Sequence, residues 1–177
     1  MKSIYRMLIG APALLLGAAM LVACDGDDRM IGKWETVRPA LVFPTISGTV
    51  SSIKSSTLEF SQGPDKNSGG VTVTTEYKMT LPADSTGVCE TSVVLASVDG
   101  TWTREDEYDD ELVINFDKNS LDVDAENVPE LTAVTDIFLT SLAKLSRIDA
   151  VEVTNDNTML SFEDRTDDRF VMVRMLN

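Results

Sequence analysis

The chain has 177 residues, with 15 Lys and Arg against 29 Asp and Glu, a formal net charge of −14 and no histidine. So acidic a chain has no basic surface with which to neutralise phosphates, which excludes nucleic acid as a partner. The missing histidine excludes Ser-His-Asp and Cys-His catalytic arrangements, imidazole zinc sites and the commonest general acid and base.

Residues 1–23 read as a cleaved export signal: Lys2 and Arg6 supply a positive start, Met7 to Val22 is apolar, and small residues precede Cys24. A membrane-spanning helix would need about 20 apolar residues, but Asp25, Gly26, Asp27 and Asp28 follow the cysteine at once. Leu21-Val22-Ala23-Cys24 resembles the bacterial lipobox, which makes Cys24 the lipidated first residue of the mature protein. Acyl chains contribute about 0.8 kcal/mol per buried methylene, so two or three of them hold permanently. Residues 24–30 then form a short acidic tether whose extended reach is at most about 25 Å. Removing the signal takes away Lys2, Arg6 and no acid, so the mature charge moves from −14 to −16. Cys89 is left without an intrachain partner and is expected to be a buried thiol rather than a nucleophile, since it has no histidine base.

Residues 31–177 suit one domain. Ile31 to Val37 reads as a first strand. Leu58 and Phe60 lie on a second, and the polar loop Gly63 to Gly70 turns it into a third, in which Val71, Val73, Thr75, Tyr77, Met79 and Leu81 alternate with polar residues. Further strands are expected over Val88 to Val98, Thr101 to Glu105, Leu112 to Phe116 and Leu121 to Asp124, the last two joined as a hairpin by Asp117-Lys118-Asn119-Ser120. A helix is expected over about 129–147. Pro129 and Glu130 suit its first turn, Asn127 is a candidate cap, and Lys144 and Arg147 suit its last turn. Its apolar positions Leu131, Val134, Phe138, Leu142 and Leu145 recur at helical spacing. Three strands follow, over Ala150 to Thr154, Met159 to Glu163 and Arg169 to Leu176, joined by the polar turns Asn155 to Thr158 and Arg165 to Asp168. Nine or ten strands in hairpin succession predict a mainly β domain, an antiparallel up-and-down barrel with one inserted helix; a two-sheet sandwich is the alternative.

In a barrel, Leu58, Phe60, Val73, Tyr77, Met79, Leu112, Ile114 and Phe116 face inward, where they either fill a core or line a pocket for a small apolar ligand. The acidic run Glu105 to Glu111, the pair Asp122 and Asp124, and Asp167-Asp168 lack the alternating oxygens and central glycine of a calcium loop, so they read as solvated strand ends. No phosphate loop, nucleophile elbow or nucleotide fingerprint is present, and no metal or cofactor is expected.

Ile31-Gly32-Lys33-Trp34-Glu35 resembles the Gly-x-Trp that opens lipocalins. Together with Ser56 to Phe60, Asp99 to Glu105, Leu112 to Asp117, the helix and the closing hairpins, it resembles the lipocalin-like lipoproteins of Bacteroidota over residues 31–175. The resemblance implies a barrel in the outer membrane's lipoprotein population, with Trp34 at the closed barrel end beneath Arg174. Lipocalins place their helix after the eighth strand, whereas here three strands follow it. Two short segments also gain a meaning by resemblance: Asp25, Asp27 and Asp28 are similar to a surface-export signal, and Asp84-Ser85-Thr86 to an O-glycosylation acceptor at Ser85. In an enterobacterial host Asp25 would instead suggest inner-membrane retention. A second Gly-x-Trp, Gly100-Thr101-Trp102, reads as a coincidence rather than a duplication.

These readings predict a lipid-anchored envelope protein that is not an enzyme and that binds or meets another envelope protein through its outer face. Carriage of a small apolar ligand is the alternative, and a carboxylate-dependent hydrolase the third.

Overall fold

The structure is a computed structural model in which residues 29–38, 50–80, 91–106, 110–125, 131–154 and 156–176 are described; side chains of a few strand and helix residues, Tyr77, Met79, Leu131 and Val134 among them, lie outside that description. Cys24, Ser85, Cys89, Asn127, Pro129 and Glu130 also lie outside it. Among the described residues nine strands form, β1 (Gly32–Arg38), β2 (Val50–Gln62), β3 (Ser68–Thr80), β4 (Thr91–Thr103), β5 (Leu112–Phe116), β6 (Asp122–Ala125), β7 (Arg147–Thr154), β8 (Met159–Asp164) and β9 (Arg169–Arg174), with one helix, α1 (Leu131–Leu142).

Every pairing is antiparallel, and the pairs lead around a closed circuit. Trp34 on β1 lies opposite Leu58 on β2, Leu58 opposite Val73 on β3, and Val73 opposite Val98 on β4. Trp102 on β4 faces Ile114 on β5, Leu112 faces Ile148 on β7, and Ile148 faces Asp164 on β8. Phe162 faces Phe170 on β9, and Arg174 returns the circuit to Trp34. The fold is therefore a barrel and not a sandwich. Closure pairs the edge strands that an open sheet of this size would expose.

The expected hairpin between β5 and β6 does not form. Both strands pair with β4, Gly100 to Thr103 against β5 and Val94 to Ser97 against β6, so they are two halves of one barrel stave. The 3₁₀ turn Lys118–Ser120 that separates them is stitched to β4 instead of reversing the chain. The Asp117 amide donates to the Asp99 carbonyl (2.9 Å), and the Asp99 amide donates to Ser120 Oγ (2.8 Å). Asp117 Oδ1 accepts the Asn119 amide at 2.9 Å, which tightens the detour into an Asx turn. Those anchors lie on β4, so the chain rejoins β4. Nine strands thus make eight staves.

Two further expectations change for one reason, that glycine marks a close approach as readily as a turn. The segment around Asp99-Gly100 is no break: β4 runs unbroken through it, and a Cβ at Gly100 would stand 2.7 Å from the Asn115 carbonyl oxygen of β5. Likewise the loop after β2 stops at Asn67, because Ser68, Gly69 and Gly70 belong to β3. A Cβ at Gly69 would lie 1.9 Å from the Ser61 carbonyl oxygen and 2.5 Å from Trp102 Nε1. The indole occupies that space.

The polar turns of the second half close as their composition predicts. Asp156 and Asn157 both take positive φ (53° and 66°), the mirror-image turn whose twist matches a hairpin. In the β8–β9 turn Asp167 takes the left-handed position (φ 62°). Asp164 Oδ1 gathers the amides of Thr166 and Asp168 and the Thr166 hydroxyl, at 2.8, 3.1 and 2.7 Å.

The helix is shorter than its periodicity predicts. It ends at Leu142 and tightens into the 3₁₀ turn Ala143–Ser146 before β7. Phe138, Leu142 and Leu145 are buried in the same core cluster as Trp34, Phe60 and Trp102, so this part of the apolar stripe faces inward. β5 and β7 share only two opposed residue pairs, and β6 pairs with β4 alone among the described residues, which leaves a gap in the wall on that side. The 3₁₀ turn packs against both β5 and β8, and the Arg165 amide binds the Lys144 carbonyl at 3.1 Å. Burial of Phe138, Leu142 and Leu145, at about 1.5–3 kcal/mol for each large side chain, holds the helix and its 3₁₀ turn to the core.

Candidate functional site: the barrel interior and its plugged rim

Period-2 alternation aims one set of side chains inward on every stave, and their sizes are graded along the axis. Towards the rim where β1 begins they are large: Trp34, Phe60, Trp102, Phe162 and Phe170 are all buried, and the last two rings stack with centroids 5.2 Å apart. Towards the far rim the buried inward side chains described on β2 to β4 are smaller or polar, namely Ser56, Thr75, Ala96, Val94 and Ser92. Ser56 Oγ and Thr75 Oγ1 satisfy one another at 3.0 Å, and Thr36 Oγ1 donates to the Ser56 carbonyl at 3.0 Å. Such pairing offsets the cost of burying the Ser56 and Thr75 hydroxyls.

Among the residues expected to face inward, Leu58, Phe60, Val73, Leu112 and Ile114 are 0–2 % exposed. A side chain that accessible to nothing has no water-sized space against it. These five therefore pack into the continuous core, with Phe116 partly buried beside them. Tyr77 and Met79 are on β3 further towards the far rim, and their side chains lie outside the described residues.

The plugged rim is a hydrogen-bonded clasp. The Arg174 guanidinium carbon stands 4.2 Å from the centroid of the Trp34 ring. Its Nε donates to the Asn157 carbonyl (2.7 Å), Nη1 to the Ile31 carbonyl (2.9 Å) and Nη2 to the Arg29 carbonyl. Trp34 Nε1 donates to the Met30 carbonyl at 2.8 Å, and the Met30 side chain is buried. One guanidinium thus joins the segment before β1, the first strand and the β7–β8 turn. Gly32, at φ +131°, lies directly below it, and a Cβ there would be 2.7 Å from Arg174 Nη1. This explains the glycine two residues before the tryptophan.

Trp102 repeats part of that arrangement. Its Nε1 donates to the Ser61 carbonyl (3.1 Å), and the Arg104 guanidinium lies 5.7 Å from its ring centroid. Arg104 also donates from Nη2 to the Lys66 carbonyl (2.6 Å) and from its amide to the Asn67 carbonyl (3.0 Å), tying the β2–β3 loop to the end of β4. Sequence reasoning missed Arg104. The signal is the i, i+2 spacing of Trp102, on β4, and Arg104, just past its end, which puts both on one side of an extended chain. An open polar cleft runs between Asp65 to Ser68 and Thr103 to Asp106.

Asp164 is the one buried acid among the described residues, at 1 % exposure; its Oδ1 organises the β8–β9 turn and its Oδ2 has no hydrogen-bond partner. Asp122, Asp124, Asp167 and Asp168 are exposed, and so are Glu105 and Asp106. Among the described residues no three acidic or cysteine side chains come together in a manner that would hold a metal ion. No helix among them is long and apolar enough to cross a membrane.

Comparison with known proteins finds no family model that matches this chain and no curated protein with significant sequence similarity to it.

Proposed function

We propose that this is a lipoprotein of the bacterial outer membrane, anchored through Cys24, whose barrel is a packed, non-enzymatic module for interaction with another envelope protein. The observation that carries this reading is the state of the interior. Leu58, Phe60, Val73, Leu112 and Ile114 have at most 2 % exposure and belong to one continuous packed core among the described residues. The exposed acids are distributed over strand ends and turns, where they keep the domain soluble. No metal or cofactor enters the reading.

Two measurements test it. Radiolabelled palmitate should enter the wild-type chain and not Cys24→Ser; equal labelling would defeat the anchor. Native mass spectrometry of protein extracted from membranes, paired with crosslinking in intact cells, should give a ligand-free mass and a recurrent crosslinked partner. A stoichiometric small apolar molecule in place of a partner would instead favour a carrier.

A further inference from the structure

We infer that the plugged rim is the membrane-facing end of the barrel, and that Met175 and Leu176 rest in the headgroup layer of the same bilayer that holds the lipid. This rests on the reading of Cys24 as the lipidated residue. The first argument is where the tether meets the fold. Arg174 holds the carbonyls of Arg29 and Ile31, and Trp34 holds that of Met30, so the chain leaves the barrel from a fixed position on this rim. Between Cys24 and Arg29 there are five residue steps, about 18 Å when fully extended.

The length of the barrel turns that reach into an orientation. β2, β3 and β4 each have 13 residues, about 43 Å of strand and about 33 Å along an axis from which strands tilt by about 40°. With the far rim against the bilayer, the tether would have to cover roughly that height, nearly twice its reach. The rim that carries Arg29 is the one that can lie on the surface.

The second argument is what this rim exposes. The residues after β9 emerge beside the tether, with the Met175 amide bound to the Lys33 carbonyl at 2.9 Å. Leu176 is 89 % exposed and Met175 39 %. Leu176 is the most exposed large hydrophobic side chain among the described residues. Apolar side chains in that position gain by entering the boundary between headgroups and acyl chains, where amphipathic anchors sit. The opposite rim carries the β8–β9 turn with exposed Arg165, Asp167 and Asp168, and the outward apolar side chains on the strands that run towards it, Val37, Val93 and Leu95, are 44–56 % exposed against 89 % for Leu176. It therefore points away from the bilayer and is the end that a partner meets first.

Tryptophan quenching by brominated phosphatidylcholine tests the orientation in the full lipidated chain, because the native Trp34 and Trp102 are both buried. Reporters are Leu176→Trp on the plugged rim, Met175→Trp beside it as a second variant, and Arg165→Trp on the far rim. Quenching at Leu176→Trp or Met175→Trp should exceed that at Arg165→Trp by about threefold or more. Equal quenching would mean a barrel lying on its side, and stronger quenching at Arg165→Trp an inverted one; either overturns the inference. Flotation with the vesicles is scored separately. A chain that does not float defeats the anchor itself, and with it the tether argument.

Discussion

Replacing Arg174 with alanine tests the clasp more sharply than any other single change. The side chain stacks on Trp34 at 4.2 Å and donates to the carbonyls of Asn157, Ile31 and Arg29. A cation–π contact contributes about 0.5–2 kcal/mol, and a hydrogen bond from a charged donor about 1.5–3 kcal/mol when buried. The Asn157 and Arg29 bonds are exposed and the Ile31 bond part-buried, so the three together are placed near the low end, and the whole loss comes to about 3 kcal/mol. For a domain of this size that lowers Tm by about 10 °C. Urea unfolding of the unlipidated barrel, followed by tryptophan fluorescence and far-ultraviolet circular dichroism, measures it directly. Arg174→Lys keeps the charge but cannot stack flat or reach three acceptors, and should recover less than half of the loss. A cycle with Trp34→Phe should return a coupling energy of about 1 kcal/mol. A loss below 1 kcal/mol for Arg174→Ala, or zero coupling to Trp34, would refute the argument that this contact holds the rim together.

Three other perturbations probe separate parts of the fold. Gly32→Ala adds a Cβ at φ +131° only 2.7 Å from Arg174 Nη1, which should cost about 2 kcal/mol and weaken the near-ultraviolet signal of Trp34. Phe138→Ala opens a cavity where the buried face of α1 meets the core; it should cost about 3–5 kcal/mol, and hydrogen exchange should quicken in α1 before β2 and β3. Asp164→Ala removes the acceptor of two amides and a hydroxyl. It should destabilise by about 2–3 kcal/mol while Asp164→Asn, which keeps one carbonyl oxygen, loses less, both read from chemical denaturation midpoints.

The departures from sequence expectation share a physical basis. Asp117 to Ser120 has the composition of a hairpin turn and forms a tight turn, but which strand the chain pairs with afterwards depends on Asp99, eighteen positions earlier, to which Asp117 and Ser120 are bonded. Gly69 and Gly100 look like loop residues, yet they are strand positions where Trp102 and β5 come too close for a Cβ. The role of Arg104 depends on its hold on the Lys66 carbonyl of the β2–β3 loop, thirty-eight positions earlier, which no local pattern states.

Strand alternation, the apolar face of α1, the turn chemistry at Asp156-Asn157 and the absence of histidine are local or compositional properties, and the amino-acid order alone determined them. Closure into eight staves, the merging of β5 and β6, and the packing of Leu58, Val73 and Ile114 into one core were decided only in three dimensions. Periodicity states which face of a strand is apolar; whether the opposite wall stands close enough to fill the space is a property of all the staves together.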